Sequence, residues 1–205
     1  METTAILQKR AKSGDRDAQF RLGYRLAFSR ARARPNWSGA ANWWERAAIG
    51  GHARASFYLG TCYDFKRGRP RDLKEAVKWY RAAAASGHAE ALYNLAMCYR
   101  DGHGIRKNLR SAFRNFYEAA FSGSDDAALD LGYCYHEGRG TNADLALAVY
   151  WYTIAAKAGN TKAQYNLGLC YLHGHGIKQS RAQAKRWLKS ASRRGHLEAR
   201  MALVQ

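Results

Sequence analysis

The sequence predicts an all-α protein made of about five stacked helix-turn-helix repeats of 36 residues, closed by a short helix at each end. Two recurring phrases predict it. The motif Ala-x-x-x-Leu-small returns at Ala18, Ala55, Ala91, Ala127 and Ala163 in steps of 37, 36, 36 and 36, with a trace at Ala199 and Leu203. A second phrase keeps a step of 36, with Ala40, Ala76, Ala112, Ala148 and Ala184 opening it and Gly51, Gly87, Gly123, Gly159 and Gly195 closing it. A period of this length is the signature of a repeat array.

Each phrase has helical spacing. In the first, helix A, Ala163, Leu167 and Cys170 fall on one face; in the second, helix B, Ala148, Trp151, Tyr152 and Ala155 do the same. The register of Trp43, Trp79, Trp151 and Trp187, with Asn115 in the third copy, is expected in the core. Helix B starts at Asn36, Asp72, Asn108, Asp144 and Ser180, whose side-chain oxygens can accept bonds from first-turn amides. Asp72 with Glu75 can complete a capping box. The closing glycines suit a left-handed C′ position. Gly102-x-Gly104, Gly138-x-Gly140 and Gly174-x-Gly176 turn the chain from helix A to helix B. The first turn, SRARARPN (29–36), lacks these glycines and the second, KRGRPRD (66–72), keeps only Gly68, so helix A is expected to run on there. The repeats are placed at about 15–51, 52–87, 88–123, 124–159 and 160–195. Residues 3–12 read as a leftover helix B that caps the start, and 197–205 as a partial helix A. A lone helix hairpin cannot bury its apolar stripe, and stacking supplies the missing partner surface.

AQYNLGLCYLHGHGI (163–177) and AVYWYTIAAKAGN (148–160) resemble the two helices of the Sel1-like repeat, a relative of the tetratricopeptide repeat. The resemblance covers nearly the whole chain as a single domain, 1–205. It implies a right-handed α-solenoid of antiparallel helix pairs that serves protein recognition. Some members of that family are disulfide-rich, with paired cysteines in each repeat. Here Cys62, Cys98, Cys134 and Cys170 recur singly at steps of 36. Equivalent positions in stacked pairs lie about 10 Å apart, beyond the roughly 7 Å that a disulfide allows. Four reduced, buried thiols are expected.

His173 and His175 stand near Cys170, and His103 repeats the register of His175, but Arg139 fills it in between. Zinc needs about four convergent ligands, so no metal and no cofactor are expected. The Gly-x-Gly turns lack the strand-then-helix context of phosphate loops. No nucleophile–base pair stands apart from the repeat, and the chain is read as no enzyme. No apolar run approaches the ~18 residues of a membrane span. The opening METTAILQKR lacks a secretory apolar stretch, which, taking Met1 as the natural start, reads as cytoplasmic.

Lys plus Arg number 34 against 16 for Asp plus Glu, a net +18. Residues 1–110 hold 22 basic and 9 acidic residues, whereas 111–160 hold three and six. Such charge suits an anionic partner. Two surfaces could hold it. Counting the Leu of Leu-Gly as position seven, positions two, five, nine and twelve of helix A face away from helix B, and in related solenoids they line the concave groove. They supply Phe20, Phe57, Tyr93 and Tyr165 at position five, Tyr24, Met97 and Tyr133 at position nine, and Arg100 and His136 at position twelve. Position five can equally pack on the next repeat. Asn94 and Asn166, at position six, resemble the asparagines with which tetratricopeptide-like grooves hold a peptide backbone. The second surface is a basic ridge on three successive turns: Arg30, Arg32 and Arg34, then Lys66, Arg67, Arg69 and Arg71, then Arg106, Lys107 and Arg110. The leading expectation is a non-catalytic scaffold or adaptor for an acidic protein partner. Neutralising a toxin as an immunity protein is one alternative, and nucleic-acid binding through the arginine edge is another.

Overall fold

A computed structural model describes residues 3–28 and 34–203 and shows twelve α-helices among them. They fall into two compact units, Met1–Lys107 and Asn108–Gln205. In unit 1 a first helix, α1 (Thr4–Lys12), precedes helix A elements α2 (Arg16–Phe28), α4 (Ala53–Asp64) and α6 (Ala89–Asp101). Helix B elements α3 (Trp37–Ile49) and α5 (Leu73–Ala84) alternate with them. Unit 2 contains helix B elements α7 (Leu109–Phe121), α9 (Leu145–Ala158) and α11 (Arg181–Arg193). Its helix A elements are α8 (Asp125–Glu137), α10 (Thr161–His173) and the short α12 (Leu197–Ala202). Within each unit every helix packs on the next. This is the all-α solenoid that the repeats predict.

The punctuation is as expected. Asn36, Asp72, Asn108, Asp144 and Ser180 each accept a first-turn amide of the helix B that follows. The glycines after helix B have positive φ, from 73° at Gly87 to 102° at Gly159. The capping box at Asp72 is only half made. Asp72 caps Lys74 and Glu75, but its own N–H donates to the Tyr63 carbonyl, and Glu75 pairs with Lys78. The helix A starts, unmarked in the sequence reading, use a mixed set of caps. His52 and His196 accept through Nδ1, Ser124 and Asn160 through oxygen.

Two local expectations need correction. Helix A does not run on in the second copy. It stops at Asp64, and Lys66 takes a left-handed φ of 55° where later copies have glycine. The matching stretch in the first copy falls in 29–33, outside the described residues. The second correction concerns the tryptophans. Trp151 is buried, but Trp43, Trp79 and Trp187 are only half-buried. The innermost register is one residue later: Trp44, Tyr80, Phe116, Tyr152 and Leu188, each at most 2% exposed. In α1 the same register holds Leu7, fully buried.

A close approach between helices selects that register. The helix A glycine lies against the large side chain of its helix B. A Cβ on Gly60 would stand 2.7 Å from Tyr80, and one on Gly132 would stand 2.5 Å from Tyr152. Gly23 on Trp44 and Gly168 on Leu188 repeat the contact. A second glycine register joins neighbouring repeats. Gly68 abuts the backbone of Trp37 at the start of α3, and Gly104 that of Leu73 at the start of α5. In unit 2, Gly140 meets Leu109 and Gly176 meets Leu145 in the same way. Each A-to-B turn thus lies against the start of the preceding helix B.

All four cysteines are free and buried. Burial pushes the Cys62 thiol up to about 12, and those of Cys98 and Cys170 up to about 11. The thiolate is the reactive form, so burial disfavours reaction at these groups while the chain is folded.

Three outcomes follow. Gly60→Ala and Gly132→Ala, which would stabilise an isolated helix, should each destabilise the protein by roughly 1–3 kcal/mol through overpacking, read from denaturant unfolding. Trp151→Ala should cost about 3–5 kcal/mol and half-buried Trp79→Ala clearly less; equal losses would restore the tryptophan register to the core. A thiol reagent at pH 8 should modify no cysteine in the native chain within minutes and all four after denaturation, with no bound zinc by elemental analysis.

Candidate functional site

Unit 1 carries the helix A faces of α2, α4 and α6 and the turns that follow them. Position five belongs to packing between repeats. Phe20 is 7% exposed and stacks on His52 at 4.7 Å, and half-buried Phe57 stacks on His88 at 4.8 Å. Tyr165 stacks on His196 at 4.6 Å in unit 2. The histidine is the N-cap residue of the next helix A, so one ring fastens two repeats. Burial pushes the His88 imidazole down, and its Nδ1 lies 3.2 Å from Glu90 instead of capping the helix. The asparagine reading also changes at Asn94. This residue hydrogen-bonds Tyr80, whose hydroxyl donates to Asp64 at 3.1 Å. Asn94 therefore serves a buried polar chain. Asn166, in unit 2, has a buried Nδ2 with no partner.

Tyr24 remains open, at 42% exposure. Its ring lies 4.7 Å from that of Phe28, also 42% exposed, which meets Trp37 edge-on at 5.3 Å. Arg67 lies over Trp37 at 5.0 Å and over Phe65 at 5.7 Å, and Phe65 is 60% exposed. Aromatic helix ends and a basic turn thus meet in one patch. Phe28 and Phe65 were not among the predicted residues. Both occupy position thirteen, where later copies have Asp101, Glu137 and His173, and that substitution was the available signal. Tyr93, Met97 and Arg100 are half-buried on α6, and Arg100 pairs with Asp101 at 2.9 Å, holding that carboxyl below its usual range. In unit 2, Tyr133 is 38% exposed and His136 pairs with Glu137 at 2.8 Å.

The ridge residues divide. Arg30 and Arg32 lie outside the described residues. Arg34, Lys66, Arg67, Arg71, Arg106 and Lys107 are exposed on unit 1, and Arg110 is exposed on α7 of unit 2. Arg69 is no free cation. It is half-buried and bonds Glu45 at 2.7 Å and Asn42 at 2.9 Å, fixing its turn to α3. The Gly68 and Gly104 contacts hold the second and third turns against the starts of α3 and α5. A further basic stripe was missed. Arg181, Lys185, Lys189 and Arg193 recur every four residues on α11, all exposed, a spacing that aligns them on one helix face.

Among the described residues no group of three or more His, Cys, Asp or Glu is placed to hold a metal ion, and no helix is long and apolar enough to cross a membrane. The His173 and His175 rings lie 5.5 Å apart without further ligands.

Comparison with known proteins places this architecture. The model of the Sel1 repeat matches residues 16–52, 53–88, 89–124, 125–160 and 161–196. No curated protein matches the chain. Among solved structures, a protective antigen of uropathogenic Escherichia coli with an SLR fold is 32% identical over 99% of this chain, with a TM-score of 0.93. This chain spans 43% of that protein's length. A Sel1 repeat protein of Oxalobacter formigenes is 31% identical over 98% of this chain and 77% of its own, with a TM-score of 0.83. An immunity protein of Pseudomonas aeruginosa shares the fold at 22% identity, over 90% of this chain and 67% of its own, with a TM-score of 0.52. Five consecutive repeat matches over helices that alternate as the sequence prescribes show that the chain belongs to the Sel1 repeat family.

Proposed function

We propose that the chain is a non-catalytic recognition scaffold, and that unit 1 binds an acidic protein segment carrying apolar side chains. One observation carries this reading: exposed Tyr24, Phe28 and Phe65 adjoin Arg67 and the cationic turn edge. An acidic segment would pair with the edge while its apolar side chains lie on the rings. Aromatic anchors beside cations are the composition of interface hot spots. Membership supports a protein partner, because Sel1 repeat proteins generally mediate protein–protein interactions. All four thiols are buried, and burial pushes those of Cys62, Cys98 and Cys170 up, which disfavours a nucleophilic role. Toxin neutralisation is one form that such recognition takes. The Pseudomonas neighbour bears the name of an immunity protein, and its likeness to this chain is one of fold.

The test uses two probes of equal charge, a labelled peptide alternating Glu with Leu and a single-stranded oligonucleotide. The peptide should bind more tightly. Arg67→Glu with Arg71→Glu should slow its association and weaken the salt dependence. Tyr24→Ala and Phe28→Ala should each speed dissociation, costing about 1–3 kcal/mol. Tighter oligonucleotide binding, with a steep salt slope and no response to the aromatic changes, would assign the edge to phosphate instead.

A further inference from the structure

The exposed face of helix B in unit 2 has a composition that the fold does not require. Tyr117 and Phe121 on α7, and Leu147 and Tyr150 on α9, are 40%, 65%, 39% and 57% exposed. They surround buried Trp151, which Phe121 meets at 5.5 Å, Tyr150 at 5.2 Å and Tyr117 at 6.3 Å. The patch is therefore continuous across two helices. The other repeats serve as internal controls. The register of Tyr150 holds Asn42, Lys78, Arg114 and Arg186 elsewhere, and that of Tyr117 holds Glu45, Arg81, Thr153 and Lys189. Leu147 stands where Gly39, Glu75, Ser111 and Gln183 stand. At the register of Phe121 the other copies have Ile49, Ala85, Lys157 and Arg193. The helix B face is thus built mainly from polar residues in the other three repeats and turns apolar where α7 and α9 adjoin. Such a patch marks an interaction site.

We propose that this patch joins two copies of the chain about a two-fold axis. Charge selects the occupant. The patch lies in residues 111–160, with three basic and six acidic residues, whereas the flanking stretches are +13 over 1–110 and +8 over 161–205. An anionic membrane or an acidic protein is drawn to the flanks rather than to this stretch. A second copy of a +18 chain is repelled at the flanks, and this is the stretch where it can approach. It also brings the same rings, as a self-complementary interface demands. On the exposed side of α7, Arg114 pairs with Glu118 at 3.2 Å, and Arg110 lies one turn before it at the start of the helix. At about 200 Å² for a large side chain, the four residues expose on the order of 400 Å² per copy. That is about half of what one partner gives a standard interface, so they form its apolar centre.

Sedimentation equilibrium of the parent chain, from roughly 1 to 200 µM, should show a monomer–dimer equilibrium. It should tighten on raising salt from 0.1 to 0.5 M, because salt screens the repulsion between two cationic chains. Phe121→Lys and Tyr150→Arg install residue types that other repeats already carry at these registers, so they should keep the parent's helicity and melting temperature. Each should weaken dimerisation by roughly 30-fold or more, while Lys189→Ala, on α11, should leave it unchanged. A parent chain that stays monomeric throughout, variants that dimerise like the parent, or binding to neutral phosphatidylcholine vesicles that is lost in the variants would each overturn the proposal. The peptide assay on unit 1 reports separately, since neither variant touches its aromatic–arginine patch.

Discussion

The contact between a helix A glycine and the large side chain of helix B sets the geometry of the pair. Glycine within a helix costs about 0.5–1 kcal/mol relative to alanine. In exchange a whole ring lies on bare backbone, as Tyr80 does on Gly60 and Tyr152 on Gly132. Burying such a ring is worth a few kcal/mol, so the exchange favours the glycine. The seated ring also fixes the rotation of helix B. The residue before it is turned by 100°, which leaves Trp43, Trp79 and Trp187 at the margin of the core while Trp44, Tyr80 and Leu188 fill it. Faces that the rotation turns outward then become available for other work.

The turns add a second constraint. Their first residue must leave helix A in a left-handed conformation, and Gly102 does so with a φ of 81°. Their second glycine must pass beneath the start of the preceding helix B, so close that no side chain fits. The remaining residues of each turn are thereby held outward and in series. A basic turn repeated in adjacent copies becomes a line of cations. Lys66 departs from this rule, holding a left-handed φ of 55° with a full side chain. That conformation costs a lysine about 1–2 kcal/mol more than a glycine. Strain of this kind gathers at functional positions, and here it lies beside the aromatic–arginine patch.

The period, the two helices, the helix B caps and the terminal glycines were legible because each is a local chemical requirement. Asn, Asp or Ser before helix B, and Gly after it, state the boundaries directly. The core register was not legible from periodicity, since residues 43 and 44 are both Trp and residues 79 and 80 both aromatic. The decisive signal lay in the partner helix: glycine in four copies, and Ala96 in the third, opposite a register that is uniformly large, whereas the neighbouring register admits Asn115. The candidate groove was half legible. Helical spacing put Phe20, Phe57 and Tyr165 away from helix B, but it could not show that a histidine just before the next helix A would cover each ring. That depends on the stacking distance, which no single helix encodes. Phe28 and Phe65 escaped because they lie one residue beyond the positions that were projected.

Exposed aromatic surface occurs at two places on this chain in stretches of different charge, and the contrast has a physical use. Cations placed beside an exposed aromatic patch favour an acidic ligand and disfavour a second copy. The same aromatics placed in an acidic stretch reverse that preference. On the two proposals, a chain with Tyr24, Phe28 and Arg67 in one unit, and Tyr117, Phe121 and Tyr150 in the other, would separate ligand from self by charge, using similar rings for both. Two chains joined through unit 2 would carry two unit 1 edges. A partner with two acidic segments that can reach both would then bind the second at an effective concentration set by the span between them. The affinity of each edge could remain modest, which suits a surface whose long-range attraction is screened by salt.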